Sequence, residues 1–190
     1  ESTYTDVSVM PTTGYYYWIR AITARGKASV FDEPVRGSRK SETVQVTFDG
    51  NGGTPAISNV LYLVGSVYQT LPTPQRVGYD FAGWFTACNE GVFIGTTTIA
   101  KESCTALYAR WSPHTYTIHF DANGGDGNMA NLSMTYGIQK SLTANAFSKQ
   151  GYYFAGWALS ATGDATYANE ATVNNLAETQ GAVVTLYAYW

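Results

Sequence analysis

The stretch GYDFAGWF at Gly78–Phe85 returns as GYYFAGWA at Gly151–Ala158, and that recurrence decides how the chain is read. A phrase of glycines and aromatics kept twice marks a repeated structural unit, and two further blocks fall into register with it. VTFDGNGG at Val46–Gly53 matches IHFDANGG at Ile118–Gly125, and ALYARW at Ala106–Trp111 matches TLYAYW at Thr185–Trp190. The blocks keep the same order in both copies. They divide the chain into a leading segment (residues 1–43), a first repeat (44–112) and a second repeat (115–190), with SPHT at Ser112–Thr115 between the repeats. Units of this size can hold a core of their own, though a small one.

In the first block Val44, Val46 and Phe48 alternate with Gln45, Thr47 and Asp49, and Tyr116, Ile118 and Phe120 repeat the phase. Such alternation predicts a half-buried strand. The strand runs into DGNGG or DANGG, where the Asp can bond the backbone ahead of it and the glycines allow positive φ, so a turn is expected. In the closing block Leu107, Ala109 and Trp111 share one face, as do Leu186, Ala188 and Trp190. Within the phrase itself, Phe81 or Phe154 faces inward and Gly83 or Gly156 marks a bulge or close backbone approach. Trp84 or Trp157 then caps the core out of phase with the Phe. Between the first and middle blocks the copies diverge; one strand plus a short helix or a loop fits both, with the short helix placed around Gln139–Ala146.

These blocks resemble the internalin B-repeat family, also called the Listeria–Bacteroides repeat. Its pattern is a valine-rich strand ending in Asp and paired glycines, then a Pro-containing segment and GYxFxGW, then LYAxW. The resemblance implies an α+β, mostly β chain of two tandem β-grasp-like modules, each an open sheet with a short crossing helix. It further implies a place on secreted or surface proteins of bacteria, and it carries over no catalytic residue. The second copy departs from the pattern in having no proline over Thr143–Lys149.

The leading segment does not match the repeat. GYYYWIRAITARGKAS at Gly14–Ser29 alternates strongly, and it resembles the last three strands of a fibronectin type III domain, with Tyr15 at the tyrosine corner. A whole domain of that kind needs about 100 residues, so a partial β-sandwich and a fragment of a longer protein are expected. Tyr16, Trp18 and Arg20 line up on one face of the strand and form the candidate ligand face, a stacking surface of the kind sugars use, with packing of Trp18 against the neighbouring sheet edge or linker as the favoured alternative.

The remaining chemistry is sparse. A net charge of −3 with no cluster of Lys or Arg excludes an electrostatic footprint for nucleic acid. No apolar run approaches the roughly 20 residues a membrane helix needs. His114 lies in the linker and His119 on the outward phase of a strand, with no nucleophile or acid motif beside them, so no catalysis is expected. DANGGDGN at Asp121–Asn128 fails as a calcium loop, because Gly125 and Leu132 stand where ligands belong. No metal or cofactor is expected. Cys88 follows the GWF strand and Cys104 precedes the LYARW strand, so a disulfide is the expectation and two free thiols the alternative. Ala161 and Val183 take their places in the second copy. The functional expectation is a non-catalytic spacer or adhesion region of an extracellular bacterial protein, facing a host-cell or glycan ligand and neighbouring domains of its parent. The rival is a carbohydrate-binding accessory region of a surface glycan-degrading enzyme.

Overall fold

A computed structural model describes residues 14–17, 22, 25–30, 35–38 and 42–190. The strands in chain order are β1 (Gly14–Tyr17), β2 (Val35–Ser38), β3 (Thr43–Asp49), β4 (Ile57–Leu63), β5 (Tyr79–Phe85), β6 (Phe93–Ile94) and β7 (Ala106–Pro113). They continue with β8 (Thr115–Asp121), β9 (Leu132–Thr135), β10 (Lys140–Ser141), β11 (Gly156–Ala158), β12 (Ala165–Tyr167), β13 (Thr172–Val173) and β14 (Val183–Tyr189). In the leading segment β1 pairs antiparallel with β2.

Each repeat folds as a five-stranded mixed sheet. The order is β4-β3-β7-β5-β6 in the first and, read in the matching direction, β9-β8-β14-β11-β12 in the second. The first and last blocks of each repeat lie side by side as the parallel pair, β3 on β7 and β8 on β14. The middle block runs antiparallel beside the last. The alternating residues become the core face: Val46, Phe48, Leu107 and Ala109 are buried in the first repeat, and Ile118, Phe120, Leu186 and Ala188 in the second. Each sheet closes over a separate apolar cluster. Burial of one such side chain stabilises by roughly 1.5–3 kcal/mol.

Among the described residues there is no helix. The helix expected over Gln139–Ala146 is therefore corrected, and with it the crossing helix of the β-grasp expectation; what stands is a mostly β fold. The reason is non-local pairing. Lys140 and Ser141 form β10 against β13, and the Leu142 amide donates to the Ala171 carbonyl at 2.9 Å. Asn145 then brackets Phe147, its side chain taking the Phe147 amide at 3.0 Å and donating to the Phe147 carbonyl at 3.1 Å. These bonds engage the backbone groups an i to i−4 ladder would need.

Candidate functional site at the turn and the repeat junction

The three sequence blocks converge on one point in each repeat. Asp49 takes the Asn51 amide at 2.8 Å, and Asp121 takes that of Asn123 at 2.7 Å. Each Asn sits at positive φ, 44° and 47°, which Asn tolerates better than most side chains. Its amide group then donates across to the closing strand, Asn51 to the Ala109 carbonyl at 3.1 Å and Asn123 to that of Ala188 at 3.0 Å. The closing Trp answers: Trp111 donates to the Gly50 carbonyl and Trp190 to that of Ala122, both at 3.0 Å. Their rings lie so close over the turn that a Cβ on Gly53 would fall 2.3 Å from Trp111, and one on Gly125 2.6 Å from Trp190.

The middle block supplies the rest of the frame. Phe81 packs edge-on to both Trp84 and Trp111, at 5.4 and 5.5 Å between centroids, and Phe154 meets Trp157 and Trp190 at 4.9 and 5.9 Å. Phe48 and Phe120 complete the cluster against Trp84 and Trp157, at 4.7 and 4.8 Å. Gly83 and Gly156 sit at φ +122° and +145°, and the β5–β7 ladder slips between Phe81 and Gly83. That bulge lets the Phe and the Trp three residues later reach the same cluster.

The two cysteines do not pair. Cys88 is exposed and Cys104 packs half-buried against the first core, and both are free thiols. The disulfide expectation is corrected: one cysteine faces solvent beyond the end of β5 while the other is turned toward the core beside Tyr68. The Tyr68 hydroxyl has no partner of hydrogen-bond geometry. Its pKa is raised, by burial first and then by Cys104 and Tyr62. On the candidate ligand face Tyr16 is 59% exposed, while Trp18 and Arg20 lie outside the described residues.

The arrangement that sequence reasoning missed is the joint between the repeats. Only His114 separates β7 from β8, and its backbone is held on both sides: its amide donates to the Gly78 carbonyl at 2.8 Å and its carbonyl takes the Tyr136 amide at 2.8 Å. Its ring bridges the repeats, Nδ1 lying 2.6 Å from the Glu178 carbonyl and Nε2 3.1 Å from Asp80 Oδ1. Both partners are acceptors and a neutral imidazole has one N–H, so only the imidazolium satisfies both. The His114 pKa is accordingly raised, by the Glu178 carbonyl first and Asp80 second. Above this clasp Tyr136 of the second repeat crosses Tyr79 of the first, with centroids 5.6 Å apart. The Tyr136 ring rests on Gly78, where a Cβ would fall 2.3 Å from it. The available signal was the brevity of the linker, which forces neighbouring residues of both repeats together.

Comparison with known proteins agrees with this architecture. The Listeria-Bacteroides repeat domain model matches residues 45–110 and 116–189, the two sheets described above. Over 116 residues the chain is 30% identical to a protein of Evansella cellulosilytica named "Putative membrane protein", covering 59% of this chain and 17% of that protein. It is 35% identical over 94 residues to Internalin H of Listeria monocytogenes, covering 47% of this chain and 16% of that protein. The chain thus spans about a sixth of the length of these relatives. No solved structure matches it. With the family model covering both sheets and so most of the chain, the protein belongs to the Listeria-Bacteroides repeat family, which it carries as two tandem copies.

Proposed function

We propose that the chain is a non-catalytic spacer region of a bacterial cell-surface or secreted protein, holding another domain at a set distance and adding weak multivalent adhesion. The observation that carries this reading is the use of the shared motif. In both copies the Asp, Asn, Gly, Phe and Trp of the three blocks bond or pack within the repeat itself. A short, tied joint between modules suits a stalk, since added copies extend reach by the same step. The names of the relatives, a membrane protein and an internalin, are in keeping with a place at the cell surface. On this reading residues 1–43 are the closing strands of a fibronectin type III-like domain, and 44–112 and 115–190 are separate modules.

The test is binding of the full chain to a broad glycan panel and to host-cell surfaces at physiological salt, beside small-angle scattering of its length. An extended particle without saccharide binding is the expected result. Tight binding of one saccharide, lost when Tyr16 and Trp18 are changed to serine, would replace the spacer with the carbohydrate-binding reading.

A further inference from the structure

The joint between the repeats has a vacant counterpart at the far end of the second repeat. Gly78 and Gly151 open the same phrase and hold the same backbone, φ +76° and +80°. Gly78 is buried, because Tyr136 lies on it. Gly151 is exposed, and a Cβ there would meet nothing within 4 Å. Tyr79 is half-buried against Tyr136, whereas its equivalent Tyr152 is 62% exposed and the next residue, Tyr153, 83% exposed. Even the cation on the far side is kept, Arg76 lying 4.1 Å over the Tyr79 ring and Lys149 5.1 Å over that of Tyr152. In the first repeat the strand partners of Tyr79 and Asp80 are Pro113 and Ser112, two residues that follow Trp111 in the linker.

We propose that the Gly151–Tyr153 face is a docking surface for a further module of the same kind, joined to the end of β14 and carrying an aromatic side chain followed by glycine at the Tyr136–Gly137 position. The occupant is set by the occupied joint, where a bare glycine and a tyrosine edge are met together by one ring. The exposed Gly151 and Tyr152 are the same set without the ring. The first repeat of a second chain fits less well, since Val64 and Gly65 stand at its Tyr136–Gly137 position. The His114–Asp80 pair would not recur, because Tyr153 replaces Asp80. The inference stands on the joint's geometry and holds whether the array serves as a stalk or presents a ligand site.

The test appends a second copy of residues 112–190 after Trp190 and follows amide exchange of Gly151–Phe154 and the tumbling of each module by NMR. Docking slows those amides by about tenfold or more and gives the appended module the same correlation time as the second repeat. Tyr152→Ser is expected to release the appended module while leaving the stability of the 190-residue chain unchanged. Tyr79→Ser is the matching control at the existing joint. Unchanged exchange at Gly151–Phe154 in the fusion, or a Tyr152→Ser fusion that tumbles as one body, overturns the proposal. So does burial of Tyr152 by self-association of the 190-residue chain, or a saccharide that shifts Tyr152 and Tyr153 where the appended module does not.

Discussion

The two repeats put the same indole in the same slot and treat its N–H differently. Trp84 donates to the Pro72 carbonyl at 2.8 Å. Trp157, fully buried, has no partner for its N–H. The acceptor in the first repeat belongs to the LPTP segment at Leu71–Pro74, and at its place in the second stands the Asn145–Phe147 turn, whose polar groups bond to one another. Yet the Phe–Trp–Phe cluster keeps similar centroid distances, 4.7 and 5.4 Å in the first repeat against 4.8 and 4.9 Å in the second. What fixes the tryptophan is therefore its fit among Phe48 or Phe120 and Phe81 or Phe154, with the hydrogen bond an addition the fold tolerates losing. An orphaned buried N–H costs roughly 1–3 kcal/mol, which the second repeat carries without a change of topology.

The sharpest way to press this comparison is at the bulge glycine. A Cβ on Gly156 would lie 2.7 Å from the Tyr167 backbone carbonyl, whereas one on Gly83 would lie 2.6 Å from the movable Phe93 ring. Both positions hold positive φ. Gly156→Ala is expected to cost about 3 kcal/mol or more, from backbone strain and an immovable clash, and Gly83→Ala about 1–2 kcal/mol. Urea unfolding of each variant checks the order; equal costs would mean that the fixed carbonyl beside Gly156 and the movable ring beside Gly83 are equally resisting neighbours.

A smaller difference is expected at the indoles. Trp84→Phe removes a hydrogen bond and strands the Pro72 carbonyl, while Trp157→Phe removes a group that bonds to nothing. Once the common loss of ring volume is subtracted, Trp84→Phe should be the costlier by about 1 kcal/mol. Thiol labelling of the native chain separates the repeats chemically, since both cysteines belong to the first. Exposed Cys88 should react with maleimide at once and half-buried Cys104 only slowly, with no lag that a reductant removes.

The smallest effect belongs to pH. The His114 pKa is raised in the folded chain, so its contribution to the joint is fully present below the ordinary value near 6.5. It is lost as pH rises through the higher folded value. Coupling between the repeats, read as coincident thermal transitions, should loosen over that window, and Asp80→Asn should move the His114 midpoint down in an NMR titration. A midpoint unmoved by Asp80→Asn would remove Asp80 from the clasp.

How much was legible in the sequence follows from the range of each interaction. The tandem repeats and their mostly β character could be read because alternation and the DxNGG turn are local signals. The segment Gln139–Ala146 misled because its composition tolerates a helix locally, while the partners that hold it as β10 and a loop, Ala171, Thr172 and Val173, lie far along the chain. The cysteines misled for a different reason: spacing places strand ends near one another but does not say which way a side chain turns. The joint was hidden because His114 finds Asp80 and Glu178 at separations of 34 and 64 residues, and no periodicity reports such a meeting.

The central claim is that the residues common to both copies build the module and do not present a ligand surface. Indole N–H exchange of the full chain, measured by NMR with and without a panel of saccharides, tests it most directly. Trp84, Trp111, Trp157 and Trp190 should all exchange slowly, three because they are bonded to carbonyls and Trp157 because it is sealed in the core, and no saccharide should shift them. Fast exchange at Trp111 or Trp190, together with shifts on addition of a saccharide, would show the closing tryptophans turned outward to bind and would contradict the account.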